Sequence, residues 1–173
     1  MNETLRVLKQ RRSIRSYRNE QVQDEQLNDI LEAGMFAPSG HGGQSAVMVV
    51  AQTPETVQEI SNLIATAKGK PGKDAFYGAP TVVVVLADSQ STTCVEDGSL
   101  VMGNLMNAAF SVGVDSCWIN QARQAFLTTE GKALLQKWGL SESYQGVGCC
   151  ILGYRDGELP QPKERKENYI VRI

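Results

Sequence analysis

The sequence contains little of what metal-dependent or hydrolytic catalysis requires. It has one histidine, His41, and four cysteines that form no C-x-x-C pair, a composition that argues against a metal site. His41 lies near Ser39 and Ser45, but no G-x-S-x-G elbow is present, so we expect an exposed loop histidine rather than a catalytic triad. The cysteines are expected to be buried, reduced thiols: Cys94, Cys117, Cys149 and Cys150.

The sequence also lacks long hydrophobic runs and an excess of positive charge. Its longest apolar run, residues 82–87, is far too short to span a bilayer. The first residues have no apolar core of signal-peptide length, so a cytoplasmic protein without a membrane partner is expected. A net charge of −2 provides no general basic surface for nucleic acid. Local basic clusters are therefore expected to serve a smaller ligand.

The remaining pattern predicts a single domain over residues 1–173, without repeats or linkers. Apolar runs predict strands at residues 44–51, 81–87 and 147–152, and the second run is expected to be central because it is apolar on both faces. Residues 114–119 predict a short strand or turn. Helical spacing predicts helices at residues 4–10, after an Asp24 N-cap, from Pro54, at 97–112 and at 128–138. This alternation points to an α+β or α/β sandwich with helices on both faces of the sheet.

The helix predicted at residues 97–112 is apolar nearly all round. Its polar exceptions, Asn104, Asn107 and Ser111, fall on one stripe. A helix of this kind must be buried on most sides, which a domain of this size achieves with difficulty. A partner subunit is therefore expected.

Two basic clusters could hold a phosphate. Arg11, Arg12, Ser13 and Arg15 place three guanidinium groups and a hydroxyl within five residues, and guanidinium forks match phosphate oxygens. The bland alternative is a solvated helix end, where cations are favoured by the helix dipole. The second cluster, residues 163–166, lies in a charged tail that could equally be a solvated surface.

Two further segments could contact a planar ligand. In residues 38–44, small side chains permit close approach to the backbone and the Gln44 amide can both donate and accept hydrogen bonds, although a plain flexible loop fits equally well. Residues 113–120 place Trp118 and Asn120 at a strand end. They could line an apolar pocket, or Trp118 could simply pack in the core.

Taken together and in this order, the segments resemble the nitroreductase-like flavoprotein family over nearly the whole chain. The resemblance rests on five segments in register: R-R-S-I-R-S-Y at 11–17, A-P-S at 37–39, G-A-P and the strand after it at 78–88, the helix and turn at 104–119, and the closing L-G-Y at 152–154 with P-K-x-R at 162–165. It implies a nitroreductase-like fold, with a central, mostly antiparallel sheet flanked by helices. It also implies an intertwined homodimer with two FMN sites at the subunit interface.

The resemblance also implies roles for particular residues. Phosphate and ribityl contacts are expected from one group: Arg11, Arg12, Ser13, Lys163 and Arg165. Contacts along the flavin ring, with Arg15 at its pyrimidine edge, are expected from a second: Arg15, Trp118, Ile119 and Asn120. The partner subunit is expected to contribute a third: Pro38, Ser39, Gly40 and Gln44. The C-terminal residues 169–173 could add a strand to the partner's sheet.

The implied activity is an FMN-dependent NAD(P)H oxidoreductase that reduces nitroaromatics, quinones or similar electron-poor acceptors by a ping-pong hydride mechanism. Arg15 would stabilise negative charge on the reduced flavin, and the backbone N–H near Asn120 would donate to N5. Alternatives are a non-catalytic flavin sensor on the same fold, or a different flavin reaction. The chain departs from the family's partner loop, because Gly42 stands at a usual Asn and Ser45-Ala46 at a usual Pro-Trp.

Overall fold

The computed structural model describes all 173 residues as six α-helices around one four-stranded sheet. The elements in chain order are α1 Glu3–Gln10, α2 Asp24–Met35, β1 Ala46–Ala51, α3 Pro54–Ala67, β2 Thr81–Asp88, α4 Cys94–Ser111, β3 Asp115–Ile119, α5 Ala122–Phe126, α6 Thr129–Lys137 and β4 Tyr144–Gly153. The predicted elements are all present, with ends that shift by a few residues.

The sheet is wholly antiparallel, in the order β1-β2-β4-β3. Strand β2 is buried on both faces, as predicted, and β1 and β3 form opposite edges. With strands about 4.8 Å apart, these edges lie roughly 14 Å from each other. One hydrophobic cluster packs α3, α5 and α6 on one face, and a second packs α2 and α4 on the other. The predicted sandwich with an antiparallel sheet is confirmed.

Local sequence signals explain most helix ends. The Thr53 hydroxyl caps α3 by accepting from the backbone N–H of Thr56 at 3.3 Å, and Pro54 occupies the first helical position as predicted. Asp24 was expected as the N-cap of α2, but the cap is Gln23 and Asp24 lies in the first turn, where its charge favours the helix dipole. Helix α5 was not predicted, because its five residues are too few to show helical periodicity.

Helix α4 is the most apolar helix and is incompletely covered by its own chain. It begins at Cys94, three residues before the predicted start. One end of its polar stripe packs against α2, where the Asn104 amide donates to the Ala33 carbonyl at 2.8 Å. Val95 and Leu100 remain 42% and 45% exposed, so apolar surface is left over. None of the six helices has the length and hydrophobicity that a membrane span requires.

The four cysteines are buried free thiols, as predicted. Burial raises the pKa of Cys149 to about 12 and also raises the pKa of Cys150. A thiol must ionise to act as a nucleophile, so these two side chains serve packing rather than chemistry.

Candidate functional site

The basic turn after α1 is joined to the open edge of β3. Helix α1 ends at Gln10, and the next residue, Arg11, caps it by donating its backbone N–H to the Val7 carbonyl at 3.0 Å. Ser13 then forms an isolated parallel bridge with Ser116, and the Ile14 N–H donates to the Ser116 carbonyl at 3.0 Å. The first predicted cluster is therefore held beside β3.

Three buried polar atoms at this junction have no hydrogen-bond partner within the chain. They are Arg11 Nη1, Arg12 Nε and Ser116 Oγ. The Arg12 guanidinium is fixed at the same time, because its Nη1 donates to the carbonyls of Lys9 and Arg11 at 2.8 and 2.7 Å. Buried polar groups are almost always satisfied, so two guanidinium groups and a hydroxyl in this condition suit an anionic ligand with several acceptor oxygens.

Ser116 was not singled out from the sequence, although it lies in the segment 113–120. Alternation along β3 places Ser116 and Trp118 on the same face, but this pattern alone gives Ser116 no ligand role. Only the long-range bridge to Ser13 reveals its role.

Strand β3 offers backbone groups along its free edge. The Ser116 carbonyl points away from β4, toward Ile14, and alternation turns the backbone of Trp118 the same way. The Trp118 ring packs in the α4-side core, where a Cβ added at Gly148 would meet its Nε1 at 2.6 Å. The alternative considered for this ring, core packing, therefore holds, whereas the Trp118 backbone lies at the edge.

The end of β3 is a sharp turn. The Ile119 side chain is buried in the opposite core cluster, and Asn120 is exposed beyond the strand. Gln121 then adopts a left-handed backbone with φ 82°, which is unusual for a residue with a side chain. Strained residues of this kind cluster at ligand sites, so the geometry directs attention to the backbone around Asn120.

Arg15 is exposed and lies within electrostatic range of Lys68, a residue that was not predicted as part of the site. Burial lowers the pKa of Lys68 from its ordinary value, and the positive charges of Lys70 and Arg15 lower it further. The positive charges of Arg15 and Lys68 would both favour a ligand edge that carries negative charge.

The loop at residues 38–44 is held in a defined shape at the opposite side of the sheet. The Ser39 hydroxyl accepts from the Gln44 N–H at 3.0 Å, and Gln44 itself is exposed with φ 48°. Pro38, Ser39 and Gln44 border a cavity of about 560 Å³ that also contacts exposed Phe36. His41 is exposed within a short 3₁₀ turn at Gly40–Gly42, as expected.

Asp97, at the first turn of α4, fastens this loop. Its Oδ1 accepts from the Gly40 N–H at 2.8 Å, and its Oδ2 accepts from the Ser45 hydroxyl at 2.6 Å. A Cβ at Gly40 would lie 2.3 Å from the Thr93 hydroxyl, so only glycine fits there. The departure from Pro-Trp at Ser45-Ala46 therefore has a structural use, because Ser45 is a partner of the buried carboxylate.

Within one chain the predicted site residues form two separate groups. The basic turn and Trp118 to Asn120 lie at the β3 edge, whereas the 38–44 loop leads into β1 at the opposite edge. Lys163 and Arg165, in the exposed tail, make no hydrogen bond or ion pair with the rest of the chain.

Asp97→Asn is expected to lower the free energy of unfolding and to make that free energy less dependent on acid pH. Hydrogen bonds from Ser45, Gly40 and Thr93 lower the pKa of Asp97 below its ordinary 3.8, so the carboxylate stabilises the fold above that pH and this contribution is lost as the pH falls through the folded pKa. Urea unfolding at pH 6 and pH 3 checks this. The unsubstituted protein should lose more stability than Asp97→Asn between the two pH values, and equal losses would contradict the role of Asp97.

The sequence and structure comparisons agree with this site and fold. The sequence model of the nitroreductase family matches residues 8–154 of this chain. A nitroreductase with bound FMN from Bacteroides fragilis superposes with a TM-score of 0.92 and 31% identity over 100% of both chains. Another, with bound FMN, from Desulfitobacterium hafniense has a TM-score of 0.88 and 27% identity over 100% of this chain and 99% of its own.

A sequence relative is the FMN reductase [NAD(P)H] of Bacillus subtilis, 39% identical over 98 residues, which are 56% of this chain and 37% of that protein. The chain folds as an antiparallel α+β sandwich of a kind found in flavoproteins. Its basic turn suits a phosphate group. The chain belongs to the nitroreductase family.

Proposed function

We propose that the protein is an FMN-dependent NAD(P)H oxidoreductase that reduces electron-poor acceptors such as nitroaromatics and quinones. The observation that carries this proposal is the set of three unpartnered buried polar atoms, Arg11 Nη1, Arg12 Nε and Ser116 Oγ. They fit a phosphate monoester, which presents three strong acceptor oxygens. The FMN-bound relatives, similar over the whole chain, supply the identity of the ligand.

The residues at the β3 edge would bind and orient the flavin along the strand. Arg11, Arg12 and Ser13 would hold the phosphate end, with Lys163 and Arg165 from the tail. Arg15 would lie at the pyrimidine edge with Lys68, where their positive charges stabilise negative charge that develops there. FMN, when bound, supplies hydride acceptance from the nicotinamide and reduction of the acceptor.

The proposed protein is a homodimer with two such sites at its interface. The 38–44 loop and the basic turn lie at opposite edges of one sheet, which supports a loop contributed by a partner chain. Helix α4 keeps exposed apolar residues, and Phe36 beside the loop is 78% exposed. A second copy of the chain would bury this surface and complete the site with Pro38, Ser39, Gly40 and Gln44.

The test is an absorbance spectrum of the purified protein before and after anaerobic addition of NADH or NADPH. Flavin absorption that bleaches with NADH or NADPH, and returns when a quinone or nitroaromatic is added, supports the proposal. Flavin that does not bleach would favour a non-catalytic flavin sensor. Protein that is colourless and does not bind added FMN would contradict the cofactor assignment.

A further inference from the structure

The loop between α3 and β2 borders a cavity that shares only Lys68 with the proposed flavin contacts. The cavity is about 550 Å³ and is lined by Lys68, Lys70 and Lys73, together with Asp74 and Tyr77. We refer to it as the lysine hollow. Three lysines in six residues stand out in a chain whose net charge is −2.

The three lysine charges in this hollow outnumber the single carboxylate of its lining. None of the three lysines has a carboxylate within 4 Å. The one acid in the lining, Asp74, is engaged by its own turn: its oxygens accept from the backbone N–H groups of Phe76 and Gly78 at 2.7 and 2.6 Å. The hollow therefore carries local positive charge available to a ligand.

The backbone that presents the lysines is held by hydrogen bonds within the chain. The Lys70 N–H donates to the Ala65 carbonyl at 2.9 Å, and the Lys73 N–H donates to the Lys70 carbonyl at 3.2 Å. Gly69 and Gly72 have φ of 69° and 77°, so the turns between the lysines need glycine. A preorganised set of cations loses less entropy on binding than a mobile one.

Lys68 connects the hollow to the proposed flavin site. It lines the hollow, and the positive charge of Arg15 contributes to the lowering of its pKa, after burial as the main cause. Arg15 is the residue expected at the pyrimidine edge of the flavin. Lys68 is therefore the residue that the hollow shares with the proposed flavin site.

We propose that the lysine hollow binds phosphate groups of the NAD(P)H donor while its nicotinamide lies on the flavin. This inference rests on the proposed function. FMN carries one phosphate, for which the basic turn already supplies unpartnered donors, so a second set of cations calls for a second phosphate-bearing ligand. Tyr77, 43% exposed at the rim, offers an aromatic face beside the lysines for the adenine base.

The test compares Lys70→Ala/Lys73→Ala with the unsubstituted holoenzyme and with a control, Lys132→Ala, a lysine on α6 that lies outside the hollow. Flavin bleaching is followed anaerobically by stopped flow with NADPH, NADH and dihydronicotinamide riboside, which has no phosphate. The apparent Kd of the phosphate-bearing donor should rise at least tenfold in the double variant only, with its limiting rate unchanged. Dihydronicotinamide riboside should react alike with all three proteins.

The pattern across donors identifies the phosphate. A rise for NADPH alone supports binding of the 2′-phosphate, and equal rises for NADPH and NADH support binding of the pyrophosphate. An unchanged Kd for both NADPH and NADH, or an equal rise in the Kd for dihydronicotinamide riboside, would overturn the inference and leave the proposed function intact. If no donor bleaches the flavin of the unsubstituted protein, the proposed function and the inference both fail.

Discussion

Arg12→Ala/Lys163→Ala is expected to lose FMN while the protein stays folded. Arg12 Nε is a buried donor without a partner in the chain, and the Lys163 ammonium is exposed in the tail without an ion pair. Hydrogen bonds to charged groups contribute about 1.5–3 kcal/mol each, so the pair should contribute roughly 3–6 kcal/mol to binding. The Kd for FMN should therefore rise on the order of 10²- to 10⁴-fold.

The measurement is titration of the apoprotein with FMN by flavin fluorescence, with circular dichroism to verify the fold. The matched control is Arg18→Ala/Lys166→Ala, which removes the same charges from the same two segments. Arg18 is exposed, pairs with Glu20 at 3.9 Å and donates to the Arg155 carbonyl at 3.2 Å. An equal loss of affinity in the control would indicate a general charge effect. Full flavin retention in Arg12→Ala/Lys163→Ala would refute the phosphate assignment.

Gly40→Ala is expected to weaken FMN binding from the other side of the interface. The added Cβ would lie 2.3 Å from the Thr93 hydroxyl and 2.8 Å from its methyl group, so the 38–44 loop must shift away from Asp97. Overpacking of this kind costs about 1–3 kcal/mol, which corresponds to a Kd increase of roughly 5- to 150-fold if the loop carries the strain. Titration of the apoprotein with FMN measures this increase in Kd.

A second substitution separates a shifted loop from general damage. Thr93→Ala removes both of the closest atoms, so Gly40→Ala/Thr93→Ala should recover part of the lost affinity. Thr93→Ala alone loses the 3.2 Å hydrogen bond to Asp97 and the 3.3 Å hydrogen bond with the Ser91 hydroxyl, and it serves as the control. If Gly40→Ala binds FMN with unchanged affinity, the loop does not contribute to the flavin site.

The fold was predictable where local patterns carry it. The apolar run around Val84 marked the central strand, and Thr53-Pro54 marked the start of α3. The strand order could not be predicted, because β2 pairs with β4 across about sixty residues and no local signal specifies that partner. Helix α5 and the first three residues of α4 were missed, because tertiary packing rather than periodicity decides short helices and helix ends.

The candidate site shows the same division. Arg11 and Arg12 were recognisable from composition, since clustered guanidinium groups suit a phosphate. Ser116 and Asp97 were not, because each acquires its role from residues more than fifty positions away: Ser13 for the first, and Gly40 and Ser45 for the second. Asp97 looked like an ordinary residue in the first turn of a helix, where acidic side chains are common.

The central claim is that each flavin site combines the basic turn of one chain with the 38–44 loop of the other. Mixing chains that carry Arg12→Ala with chains that carry Gly40→Ala tests it directly. In a mixed dimer, one site then contains both substitutions and the other contains neither. At an FMN concentration that leaves each variant homodimer empty, the account predicts that mixed dimers bind one flavin with the affinity of the unsubstituted protein. If both elements served the same chain's site, every site would carry one defect, and absence of flavin from the mixed dimers would contradict the account.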